Sequence, residues 1–266
     1  MNMIYRRVAI LGVDGMGAFN ARVATPCMDA LFAGGAVTYD ALTSVPTVSA
    51  ECWGSMLHGV GPEIHGLTNA IVRCTPYDVN SPYPSIFRVA REAMPEAGLA
   101  SICNWSPING GIIEENLCMH KDNAPGDAEV CEKTLAYLDA NDPTLLFVHF
   151  DEVDGAGQYG FGSERFLEYI TKTDVLLGKI VAKYREKGYF EDTLFIVSAD
   201  HGGNGYGHGG DSDAEKLIFI GCAGKTVQPG KLENMNIRDI AAVAAHALGL
   251  QAPERWTARV PDGFLI

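Results

Sequence analysis

The stretch Leu194-Phe195-Ile196-Val197-Ser198-Ala199-Asp200-His201-Gly202-Gly203 passes from an apolar run into an acid, an imidazole and two glycines. The apolar run predicts a buried strand that delivers Asp200 and His201 to its carboxyl end. A carboxylate oxygen beside an imidazole nitrogen suits a divalent cation such as zinc. Gly207-His208-Gly209-Gly210 follows, and its glycines leave the backbone free to bring His208 back to the same place. A polar turn after a strand carries the same residue types, and the rest of the chain separates the two readings.

Strand and helix signals alternate on either side. Val8 to Val13 predicts a first strand running into Asp14-Gly15, and the run is too short for a signal-peptide core. Thr25 is placed to cap a helix that has Pro26 at its first position and ends at Gly34-Gly35. Helical periodicity covers 84–94, a strand 99–103, a helix 127–140, and a strand 144–150 behind Pro143. Ser163 is placed to cap a long amphipathic helix reaching Lys187; a strand over 216–222 and a helix over 237–248 behind Asn236 follow. This rhythm predicts an α/β fold, a mostly parallel sheet sandwiched by helices. Residues 66–125, rich in Pro, Asn, Ser and Gly, break the rhythm and are expected to form a small cap-like insert within a single domain spanning 1–266.

The 266 residues, 47% hydrophobic, suffice for a large core, and the formal charge of −13 argues against nucleic acid as a partner. No run approaches the roughly 20 apolar residues that span a bilayer, so no membrane partner is expected. The seven cysteines are odd in number, scattered and free of Cys-x-x-Cys pairs. They read as reduced thiols of a cytoplasmic protein.

Ligands in open α/β sheets bind at the carboxyl ends of strands. Three predicted strands end in acids there: the first in Asp14, the 144–150 strand in Asp151 and Asp154, and the opening stretch in Asp200. Clustered carboxylates repel one another, and a pair of divalent metal ions is the economical counter-charge.

Pro46-Thr47-Val48-Ser49 leads through Cys52-Trp53 to Gly59 as a loop entering a short helix, with Ser49 near its N-terminus. The positive helix end favours an anion there. A capping serine and a nucleophilic serine look identical in sequence.

Together these segments resemble the type I phosphodiesterase/nucleotide pyrophosphatase branch of the alkaline phosphatase superfamily, in order over most of the chain. The carriers are Asp14-Gly15, the Pro46–Gly59 segment with Pro62-Glu63-Ile64-His65-Gly66, Asp154-Gly155-Ala156-Gly157-Gln158, Asp200-His201-Gly202 and His208-Gly209. The Cys-x-Pro-x-Arg signature of sulfatases is absent. The resemblance implies an alkaline phosphatase-like fold and Ser49, rather than Thr47, as nucleophile. It implies one metal site from Asp14, Ser49, Asp200 and His201, and a second from Asp154, His208 and position 158. The implied ions are zinc, with manganese or magnesium as alternatives. The implied reaction is metal-dependent hydrolysis of a small-molecule phosphate ester or nucleotide, a diester or pyrophosphate bond, through a phosphoseryl intermediate. A phosphomonoesterase, or a metal-binding relative impaired in catalysis, is the alternative.

Two departures stand out. The family's histidine is Gln158, a poorer zinc ligand. A phosphate-contacting asparagine of the family corresponds to Cys52, with Asn69 or Asn104 as replacement donors. Trp105 is either a packed loop aromatic or a platform for a nucleobase or aryl group. Asp151 either orients a ligand or displaces Asp154 as the ligand. His65 is expected to be structural, and His149 and His246 to be core or surface residues. No arginine stands in the Ser49 loop to pair with a dianionic phosphate, which favours a diester; Arg73 and Arg88, in or near the insert, are the alternative source of one.

Overall fold

The computed structural model describes residues 3–261. Its centre is an eight-stranded sheet in the order β4-β3-β5-β1-β6-β7-β2-β8. The strands are β1 (Arg7–Val13), β2 (Ala36–Leu42), β3 (Leu99–Cys103), β4 (His120–Asn123), β5 (Leu145–Phe150), β6 (Thr193–Ala199), β7 (Leu217–Ala223) and β8 (Gly230–Lys231). The strands β4, β3, β5, β1 and β6 pair in parallel, as predicted for a mostly parallel sheet. β7 runs antiparallel to both β6 and β2, which leaves β2 pointing the same way as β6.

β1, β5 and β6 are buried along their whole length, as strands covered on both faces must be. Gly12, Phe147 and His149 share one face through the pairings Ile10↔Phe147 and Gly12↔His149. Trp53, on the helix Ser49–His58, packs there against Phe147 and His149. A Cβ on Gly12 would stand 2.5 Å from the Trp53 ring, so that close approach requires glycine. Phe195, paired with Ala9, faces the other way and meets Tyr184 of the helix Glu164–Glu186. The helices Asp127–Ala140 and Pro26–Phe32 pack on that long helix, whereas Asp239–Ala247 and Ile86–Ala93 pack with Ser49–His58. Helices therefore cover both faces.

The structure corrects several expectations. Part of 66–125, expected to be a cap-like insert, is built into the sheet: β3 and β4 form its edge beside β5. β2 carried no clean strand signal, because its register breaks between Thr38 and Ala41 and its outer residues are exposed. Thr25 makes no capping bond to its helix; the Asp174 carboxylate, 2.9 and 2.8 Å from the Cys27 and Met28 amides, accepts both instead. Ser163 does cap its helix, accepting from the Phe166 amide. The seven cysteines are free thiols. Among the described residues no helix is long and apolar enough to cross a membrane.

Candidate metal centre

Strand register alone brings the acids together. Val13 lies opposite Ala199 on one side and Phe150 on the other. The next residue of each strand is Asp14, Asp200 or Asp151, so three carboxylates reach one edge of the sheet. β2 sends its chain to the same edge, where the Thr43 hydroxyl donates to the Asp200 carbonyl before the loop continues to Ser49.

Ser49 is the first residue inside its helix, behind Val48, and makes no capping bond. Its Oγ lies 3.4 Å from His201 Nε2. His201 Nδ1–H donates to the Gly202 carbonyl at 2.9 Å, which turns the Nε2 lone pair inward. Asp14 Oδ1 and Asp200 Oδ2 each lie 3.4 Å from that nitrogen. Asp200 Oδ1 is held by the amides of Gly15 and His201, at 3.0 and 2.8 Å. Asp14 Oδ2 accepts from Trp53 Nε1 at 2.9 Å and pairs with His149 Nε2 at 3.0 Å.

A second group adjoins the first. His208 Nδ1–H donates to the Thr47 carbonyl at 2.7 Å, and its Nε2 faces Asp154 Oδ1 at 3.6 Å. The His201 and His208 rings stack with centroids 4.0 Å apart. Asp14, Asp200 and His201, and likewise Asp154, His201 and His208, can each offer one ligand atom with all three within 4.8 Å; so can Asp14, His149 and Asp151.

The electrostatics ask for cations. Burial, followed by repulsion from Asp200, pushes Asp14 up to about 7; burial, followed by repulsion from Asp14, does the same for Asp151. Burial also raises Asp154 and Asp200 and lowers His201. An unpaired buried carboxylate costs several kcal/mol even after relaxation. Among the described residues, Asp14 Oδ1, Asp154 Oδ1 and Asp200 Oδ2 are buried oxygens without a hydrogen-bond partner, and all three face imidazole lone pairs. That donor set of carboxylate oxygens and imidazole nitrogens fits divalent ions.

Four expected residues stand elsewhere. Gln158 is exposed, and its amide donates to the Gly155 carbonyl at 3.0 Å. Cys52 is fully buried, with its thiol against the Ser44 and Pro46 carbonyls, because a position one helical turn after Ser49 points into the core. Asn104 gives its amide to Asp127 at 2.8 Å; Asp127 accepts in turn from the amides of Asp151 and Glu152 and so anchors the turn that carries Asp154. Arg88 is spent on the Val79 and Ser81 carbonyls. By contrast, Asn69 lies at the start of the helix Ser49–His58, accepting from the Ala50 amide at 3.0 Å. Trp105 lines a surface cavity of about 560 Å³ with Arg73, Pro76 and Gly110, and its backbone amide reaches His149 Nδ1 at 3.4 Å. His65 is structural, taking the Leu67 amide on Nδ1 at 3.0 Å. Sequence reasoning missed Trp53 and set His149 aside; an isolated polar ring in an apolar strand was the only signal for the latter.

The sequence model of the Type I phosphodiesterase / nucleotide pyrophosphatase family matches residues 8–211. Over 171 residues the chain is 29% identical to a phosphopentomutase of Clostridium beijerinckii, covering 62% of this chain and 40% of that protein. The chain thus spans less than half the length of that curated relative. Murine ectonucleotide pyrophosphatase/phosphodiesterase 5 superposes with a TM-score of 0.74 at 14% identity, covering 92% of this chain and 96% of that one; an inactive form of the murine protein has been solved in complex with AMP. A 2-O GAG sulfatase superposes with a TM-score of 0.79 at 12% identity, covering 96% and 73%. At these identities the structural likenesses show a shared fold.

Proposed function

The chain belongs to the type I phosphodiesterase / nucleotide pyrophosphatase family, and on that premise we propose that it hydrolyses a small phosphodiester or nucleotide pyrophosphate bond with Ser49 as nucleophile. The observation that carries this reading is the gathering of three bare, buried carboxylate oxygens around two stacked imidazoles, one of which, His201, meets the Ser49 hydroxyl. Asp14, Asp200, His201 and the Ser49 hydroxyl would hold one divalent ion; Asp154 and His208 would hold the other. Bound, such ions act as Lewis acids and lower the pKa of a neighbouring hydroxyl; zinc suits a mixed set of carboxylate oxygens and imidazole nitrogens, with manganese or magnesium as harder substitutes.

Ser49 Oγ forms a bond to phosphorus as the ester P–O bond breaks. The serine proton goes to solvent, and the leaving oxygen departs with the bonding pair and takes up a proton. Water then cleaves the Oγ–P bond and restores the serine hydroxyl. The N-terminus of the helix Ser49–His58 favours the phosphoryl charge, and Asn69 stands ready as a donor beside it. Trp105 and Arg73 would receive the leaving group.

A second reading keeps the phosphoseryl step but returns the phosphoryl group to a sugar hydroxyl, as likeness to a phosphopentomutase suggests. Metal analysis joined to assays on p-nitrophenyl phosphate and its bis-ester, with zinc, manganese and magnesium added in turn, tests the proposal. Metal-dependent release of nitrophenol, faster from the bis-ester, supports it. A protein that holds metal yet cleaves neither ester overturns it in favour of a catalytically impaired relative.

A further inference from the structure

His149 lies fully buried in β5, inside Leu145–Phe150, a strand otherwise wholly apolar. Its pairing with Gly12 sets it beside β1, and the two-residue period of a strand puts Asp14 on the same face. The imidazole is used at both ends. Nδ1 accepts the Trp105 backbone amide at 3.4 Å, so the proton sits on Nε2, which donates to Asp14 Oδ2 at 3.0 Å. Trp53 Nε1–H approaches the same oxygen at 2.9 Å. Two donors on Oδ2 leave Oδ1 as the bare atom, 3.4 Å from His201 Nε2.

We propose that His149 is a positioning residue for the first metal group: its Nε2–H, kept on that nitrogen by the Trp105 amide at Nδ1, fixes the Asp14 carboxylate so that Oδ1 faces His201. The inference rests on the two-ion reading above. It also ties Asp14 to the backbone of the residue whose ring lines the neighbouring cavity. A histidine present only to fill the core would need neither bond, and a methionine or leucine would serve as well.

Two half-mimics separate the roles. Glutamine carries its amide nitrogen where Nε2 stands and can still donate to Asp14; asparagine reaches only as far as Nδ1 and can answer only Trp105. The full chain, stripped with chelator, is titrated with zinc or manganese in a calorimeter, and the thermal unfolding of each ion-free variant is recorded. His149→Gln is expected to keep the first-ion affinity within about threefold. His149→Asn is expected to lose about 10–100-fold, the usual effect of removing a partner that orients a ligand, with the second ion unaffected. Equal affinities in the two variants, with both folded, would overturn the inference while leaving the two-ion reading intact. A wild type that takes up no ion would remove both.

Discussion

His208 and Thr47 are joined across 161 residues: the Nδ1–H of the imidazole donates to the Thr47 carbonyl at 2.7 Å. The Thr47 hydroxyl completes the clamp, accepting from the Gly209 amide and donating to the Gly210 carbonyl, each at 2.9 Å. The loop that presents Ser49 and the loop that presents His208 are therefore tied together by three hydrogen bonds at Thr47. The clamp also removes Thr47 as a rival nucleophile, since its hydroxyl is fully engaged. Thr47→Val would strand an amide and a carbonyl that are partly buried. It should cost about 1–3 kcal/mol in denaturant unfolding and weaken the second ion more than the first.

Gln158 stands four residues after Asp154, in the short helical turn Ala156–Tyr159 that follows the Glu152–Gly155 turn carrying Asp154, and faces solvent. A histidine there supplies a nitrogen donor that zinc prefers to an amide oxygen. Gln158→His should tighten the second ion by about 10-fold or more, on the scale of changes around a metal, and leave the first unchanged. Two equally tight sites in the wild type, unmoved by the substitution, would show that position 158 has no part in the centre.

The acid cluster fixes the direction of the pH dependence. Asp14 is raised from 3.8 to about 7 in the folded chain, so without metal the folded state holds a proton that the unfolded state releases. Below pH 4 the carboxyl is protonated in both states and contributes nothing. As pH rises from 4 to 7 stability is lost, and above about 7 the loss is complete. In chelator, the wild type should therefore lose more melting temperature between pH 5 and pH 8 than Asp14→Asn. Adding zinc at pH 8 should reverse their order. Parallel pH profiles in chelator would contradict the charge argument.

Trp105 is half-buried at a cavity that also holds Arg73. Trp105→Ala should raise KM for a nucleotide or aryl diester by about 5–100-fold, the scale of stacking contacts worth 1–3 kcal/mol, while metal binding stays unchanged because only its backbone amide touches His149. An unchanged KM would return Trp105 to the role of a packed loop aromatic.

Asp14, Asp154, Asp200, His201 and His208 were legible because each follows an apolar strand or lies in a glycine-rich return from one. Strand ends sharing an edge is a rule of the fold, independent of strand order. His149 was not legible: its tie to Asp14 requires β5 to lie next to β1, and strand order is set by packing between distant segments. Trp53 hid for a similar reason, since a tryptophan one helical turn beyond Ser49 reads as core until Gly12 is placed under it. Cys52 and Asn104 were misplaced because the direction of a side chain on a helix or loop depends on what covers it. The strand β2 escaped because a bulge breaks its alternation.

Acid-quenched wild-type protein, loaded with zinc and caught during turnover of a phosphate ester, should carry phosphorus on the peptide that contains Ser49. In Ser49→Ala the adduct should be absent and turnover abolished, while the ions still bind through Asp14, Asp154, Asp200, His201 and His208. Mapping that peptide by mass spectrometry is the most direct test of Ser49 as nucleophile. Turnover without an adduct on Ser49, or a wild-type rate in the alanine variant, would contradict it.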